Sequence, residues 1–140
     1  MDKPNISGNT ITIPSSQDFL ADVDNFVEDY LENQKVSRSV IADIAICVTE
    51  IVINGIVHGN QSDPGKRVKV SVNKNNSKVE ITITDEGGGF NPDTIENPIE
   101  EKNLLKEVGR GVFIVKSLMD EVDIKACPEG TLVILRKNLA

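Results

Sequence analysis

The chain has 140 residues, 39% of them hydrophobic and 26% charged, with a net charge of −7. A chain of this size makes one domain that buries about 70% of its unfolded surface, leaving little room for a second catalytic module. The acidity is spread, with an excess of four acids in residues 1–70 and three in 71–140, so no direct nucleic-acid partner is expected, because polyphosphate affinity comes from clustered Lys and Arg.

Residues 1–10 lack the apolar core of a signal peptide, so a cytoplasmic location is expected. No membrane partner is expected either, on the reading that no apolar run approaches the ~20 residues of a membrane span. Residues 9–13 alternate as a strand should, and Pro14 ends the alternation before Ser15 and Ser16 offer a helix cap. Phe19, Leu20, Val23, Phe26, Val27, Tyr30 and Leu31 then recur at the spacing of one buried helix face. Six acids and no base fall between residues 18 and 32. That opposite face reads as solvated, or alternatively as an acidic docking surface for a basic partner.

A second helix is expected from Ser37 or Ser39 to His58, with Gly59 as its stop. From Val40 to Val57 it is apolar on nearly all sides, which predicts a helix sandwiched between layers. Cys47 within it and Cys127 near the C-terminal strands are expected to be reduced residues rather than a disulfide. Residues 60–66 read as a loop with a turn at Asp63-Pro64-Gly65. Val68, Val70 and Val72 alternate with polar residues, as do Val79, Ile81 and Ile83, so the two runs form a hairpin around a turn at residues 73–77.

From Glu86 to Gly111 the chain is Gly-rich and then polar, with a short helical stretch expected over 99–108; so long a loop in a compact domain is usually functional. A third helix is expected from Gly111 to Met119, with Val112, Val115, Leu118 and Met119 inward, and then strands at 122–126 and 131–136 around Pro128-Glu129-Gly130. The order β, α, α, β, β, loop, α, β, β predicts an α+β two-layer sandwich: a mixed, mostly antiparallel sheet with helices on one face.

Four segments stand out together. They are Thr49-Glu50-Ile51-Val52-Ile53-Asn54-Gly55-Ile56-Val57-His58-Gly59, Asp85-Glu86-Gly87-Gly88-Gly89-Phe90, Gly109-Arg110-Gly111-Val112-Phe113 and Gly130-Thr131. In this order, with a long loop between the second and third, the chain resembles the GHKL (histidine-kinase-like) ATPase superfamily over residues 10–137. Within it, the spacing Thr-Glu-x-x-x-Asn-x-x-x-His-Gly and the run Gly109 to Val122 are most similar to the bacterial anti-sigma-factor serine/threonine kinases. Gly55 departs from the Ala common in that family, although a small residue is still delivered.

Each segment also has its own chemistry. A Glu in an apolar helix costs several kcal/mol unless paired or functional, so Glu50 reads as a working carboxylate or as one satisfied by a backbone amide or a Lys. Asn54, one turn on, offers the neutral oxygen that suits Mg²⁺; the competing reading is a helix-interior amide bonded to the sheet. His58 extends the stripe and either touches phosphate or interacts with the helix's negative end. Asp85 follows a strand, where its carboxylate can accept from an exocyclic amine, and Gly87 and Gly89 permit close backbone approach. Gly109, Arg110 and Gly111 precede a helix and so present amides and a guanidinium to an anion.

The resemblance implies Mg-ATP as ligand, Glu50 as general base, Asn54 as the metal ligand, and Asp85 and Thr131 at the adenine. It also implies a single kinase domain over 1–140 with an ATP lid at approximately 90–111, homodimerisation, and two protein partners. These are a sigma factor that is sequestered and an anti-anti-sigma protein phosphorylated on Ser or Thr. An ATP-gated binding module without phosphoryl transfer, or a partner-switch kinase with a non-sigma output, shares the same motifs. No Walker-type loop occurs, and the length leaves no phosphoacceptor or transducer domain, so any acceptor is on another protein.

Overall fold

The computed structural model describes residues 3–87, 113–127 and 130–139. The expected lid, its helix at 99–108, and the candidate residues Gly89, Gly109, Arg110 and Gly111 lie outside them.

Six strands make one sheet: β1 (Asn5–Ser7), β2 (Thr10–Pro14), β3 (Arg67–Asn75), β4 (Lys78–Asp85), β5 (Glu121–Cys127) and β6 (Gly130–Asn138). Their spatial order is β1-β2-β3-β4-β6-β5, and every ladder is antiparallel. The alternation read from the sequence decides which face is buried: Ile11 and Ile13, Val68, Val70 and Val72, and Val79, Ile81 and Ile83 all point into the core. β-branched residues suit a pleated surface, and they build this core almost alone.

Helices cover that one face, giving the two-layer α+β sandwich expected. Ser16 accepts the Asp18 amide at 3.2 Å and opens a 3₁₀ turn at Gln17–Phe19, which leads into α1 (Leu20–Asn33). Val23, Val27 and Leu31 are the buried stripe of α1, with Phe19, Leu20, Phe26 and Tyr30 packed partly against it. α2 (Arg38–Asn54) begins after Ser37, whose side chain makes no capping bond. A third helical stretch, residues 113–118, carries Val115 into the core, followed by buried Met119.

Several expectations need correction. β1 was not foreseen; its residues are exposed, and what holds it is the ladder to β2 across a turn where Gly8 takes φ +59°. The hairpin turn is tighter than 73–77, because Asn75 pairs with Lys78 and leaves only two residues outside the ladder. α2 is not enclosed on all sides: Ile46 is 49% exposed and Ala42 is also at the surface.

The membrane-span reading also changes. Residues Arg38–Gly59 form a helix long and apolar enough to cross a membrane by length and composition. In this fold its apolar side chains Ile41, Ile44, Val48, Ile51, Val52 and Ile56 are instead buried in the common core. Cys47 is a buried free thiol, and burial pushes its pKa up to about 11.

Candidate functional site

The α2 ladder ends at Asn54, and residues Gly55–Gly59 continue as a π-helical turn. The Asn60 amide donates to the Gly55 carbonyl at 2.7 Å, one residue further back than an α-helix would reach. The wider turn swings Gly55 and Gly59 against the end of β4. A Cβ at Gly55 would stand 3.5 Å from the Asp85 Cβ, and one at Gly59 would overlap the Asp85 carboxylate. Gly59 is thus not a left-handed helix stop, as expected; the positive φ values fall at Gln61 and Ser62 instead. What requires glycine at position 59 is the approach of a carboxylate.

Asp85 is the centre of this cluster. Its Oδ1 accepts the backbone N–H of Gly87 and of Thr131, each at 3.1 Å. Burial pushes the Asp85 carboxyl above its ordinary range, while the Thr131 and Gly87 amides and the charge of Lys66 pull it back. Oδ2 is the oxygen nearest Gly55 and Gly59. On the remaining sides, a Cβ on Gly130 would overlap the Asp85 carbonyl, and one on Gly87 would overlap that of Gly59. The carboxylate therefore sits in a cradle walled mostly by glycine backbone.

Asn60 holds the cradle together. It is completely buried, and its Nδ2 donates to Ser15 Oγ at 2.7 Å and to the Arg67 carbonyl at 3.0 Å. Its Oδ1 accepts the Glu86 amide at 2.8 Å. Glu86 returns the tie, accepting the Arg67 amide at 2.8 Å. One amide side chain thereby joins the π-turn to the ends of β2, β3 and β4. The sequence reading placed Asn60 at the start of a loop and missed it; an Asn among Gly, Gln and Ser carries no signal that separates a turn former from a buried bracket.

Glu50 and Asn54 lie one turn apart at the C-terminal end of α2, both half-buried. Glu50 is thus not the fully buried carboxylate expected; an end of the helix with part-exposed side chains requires less compensation. Asn54 immediately precedes Gly55, and His58 lies half-buried within the π-turn. The structure therefore gathers Gly55, Gly59, Gly87 and Thr131 around Asp85, with Asn54 next to Gly55 in the chain and Glu50 one helical turn before it.

Among the described residues no three His, Cys, Asp or Glu side chains gather to hold a metal. A cation at Asn54 would draw most of its ligands from ligand oxygens and water. Mg²⁺ binds in that manner, so the donor set fits it.

A family model described as "Histidine kinase-like ATPase domain" matches residues 13–137. A protein named anti-sigma F factor from Oceanobacillus iheyensis is 34% identical over 103 residues, covering 71% of this chain and 70% of the relative. Another of that name from Heyndrickxia coagulans is 32% identical over 126 residues, covering 87% and 78%. The solved RsbU and RsbW domains of Rv1364c from Mycobacterium tuberculosis superpose with a TM-score of 0.64 at 19% identity, over 96% of this chain and 34% of that one. This last likeness is one of fold.

Proposed function

We propose, from the premise that the chain belongs to the histidine kinase-like ATPase family and its anti-sigma-factor branch, that it is an ATP-dependent serine/threonine kinase acting in a partner switch. It holds a sigma factor and phosphorylates an anti-anti-sigma protein on a Ser or Thr. The observation that carries this reading is the Asp85 cradle: a half-buried carboxylate walled by glycines, one of which, Gly55, follows Asn54.

Adenine enters the cradle edge-on, its exocyclic amine donating to the Asp85 carboxylate, with Thr131 fixing that carboxylate through its backbone amide. Asn54 offers its amide oxygen to Mg²⁺. When bound, the ion neutralises phosphate oxygens. His58 lies along the same path, Gly89 is assigned to close backbone approach to the ligand, and Gly109, Arg110 and Gly111 are assigned to the phosphates, with a lid at approximately 90–111.

Glu50 accepts the proton of the acceptor hydroxyl. As that oxygen bonds to the γ-phosphorus, the bond to the bridging oxygen breaks and ADP leaves. The acceptor belongs to the partner protein, and the working unit is a homodimer in the cytoplasm.

Incubation with labelled ATP and the cognate antagonist tests this. Glu50→Gln should reduce transfer by about 10²-fold or more, as loss of a general base does, with ATP affinity kept. Robust transfer by the variant would remove Glu50 from the role of base. Tight ATP binding by the wild type without any labelled antagonist would instead leave an ATP-gated binding module.

A further inference from the structure

The free edge of the sheet, three strands from β4, holds a second surface. β1 is the edge strand, and Ile6 faces Ile11 across the β1–β2 ladder. Cross-strand partners point to the same face, yet Ile11 is fully buried and Ile6 is 59% exposed. The helical layer therefore ends between them. Beyond that limit lies an open groove of about 390 Å³ between the β1–β2 hairpin and α1, with Ile6, Ile11 and Phe26 as apolar lining and Asp22 and Asp29 on its α1 wall.

The charge of that wall selects the occupant. Asp22 and Asp29 are seven residues apart, about 10 Å along a helix at 1.5 Å per residue. α1 contains no Lys or Arg. Its acid density shows in Glu28, whose carboxyl is pushed above the ordinary value first by the charge of Asp24. A second copy of the chain, at −7 and with the same acidic helix, would bring like charges together here.

We propose that this groove docks a segment of a protein partner in which one apolar side chain is flanked by Lys or Arg residues about 10 Å apart, the apolar group covering Ile6 and Phe26 and the cations meeting Asp22 and Asp29. The inference rests on the partner-switch reading only for the existence of a protein partner. Because the groove shares no residue with the cradle and lies at the edge strand, three strands from β4, it serves to capture the partner and takes no part in phosphoryl transfer.

The probe is a synthetic peptide with a single Leu between two Lys residues seven apart in a helix-forming Ala background, alongside a twin with Glu in place of Lys. Titration into the full-length ¹⁵N-labelled protein should move the amides of Ile6, Asp22, Phe26 and Asp29. Asp22→Lys with Asp29→Lys should weaken the binding at least tenfold, raised salt should weaken it too, and Ile6→Ser, at an exposed position, should weaken it without loss of fold.

Equal binding of the Glu twin, shifts at other sites, or no binding would overturn the proposal. So would concentration-dependent shifts of the same amides without peptide, which would give the groove to a second copy. ATP affinity should be the same in every variant. Failure of the peptide in a protein that still binds ATP and labels its antagonist sinks the groove alone, and peptide binding by a chain that binds no ATP sinks the kinase reading alone.

Discussion

At the scale of single residues, the site depends on groups that bring no chemistry of their own. Asn60 never meets a ligand in this geometry, yet its removal would strip partners from the Glu86 amide, the Arg67 carbonyl and Ser15. Leaving buried groups unpaired costs about 1–3 kcal/mol each, less where, as at Arg67 and Glu86, they are only part-buried. Asn60→Ala should therefore lose roughly 3 kcal/mol in denaturant unfolding and weaken ATP as β4 drifts from the π-turn. Unaltered stability would remove it as the bracket.

Asp85 makes a different prediction, in pH. A carboxyl whose folded value is raised binds its proton more readily in the native state, so its contribution to stability is greatest at low pH and declines as pH rises through the ordinary carboxylate range. Asp85→Asn keeps an acceptor oxygen for Thr131 and Gly87. It should flatten that decline in thermal melts taken across the acidic range, and it should lose adenine nucleotide binding. An unchanged pH profile would mean that the burial of Asp85 is compensated.

At the scale of elements, the outer face of the sheet is held by charge where the inner face is held by packing. Arg136 on β6 donates to Glu80 on β4 at 3.0 Å and to Glu121 and Asp123 on β5 at 3.1 and 2.8 Å. Those hydrogen bonds, to Asp123 first and then Glu80, raise the guanidinium's pKa further. Arg136→Ala should lower Tm and loosen β5 at the edge, seen as faster amide exchange there, and added salt should narrow the gap by screening the three carboxylates left behind. A Tm deficit indifferent to salt would assign the loss to packing instead.

The elements are also where reading from sequence succeeds and fails most visibly. Period-2 runs of Val and Ile placed β2, β3 and β4 because burial enforces alternation. β1 has no buried residue, so no pattern could mark it. The association of Asp85 with Gly87 and Thr131 was legible from the motifs, whereas the π-turn was not, since it depends on one carbonyl choosing a donor five residues on. Gly59 was marked by its type, but for a helix stop, when the reason lay in Asp85, distant along the chain.

At the scale of the whole molecule, the acidity first read as unsuited to polyanions divides by location. The acids of α1 lie at one edge of the sheet and the cradle lies at the end of β4, where Asp85 is flanked by backbone amides and Lys66. A chain of net charge −7 can therefore present an acidic flank to a protein while the Asp85 carboxylate keeps backbone amides and Lys66 as its partners.

The antiparallel ladder between β4 and β6 has a consequence for time as well as for shape. Its rungs run from Lys78 with Asn138 to Thr84 with Leu132, so all of them close over a long intervening stretch, and the Asp85–Thr131 bond lies just past the last. The β3–β4 hairpin is local and can zip early, whereas this second ladder must first meet the entropy of a long closure. A nucleotide seated at Asp85 would grip the last part to assemble. In stopped-flow experiments ATP should slow the unfolding arm and leave the refolding arm nearly unmoved; a comparable gain in refolding rate would mean that the cradle is already formed at the barrier.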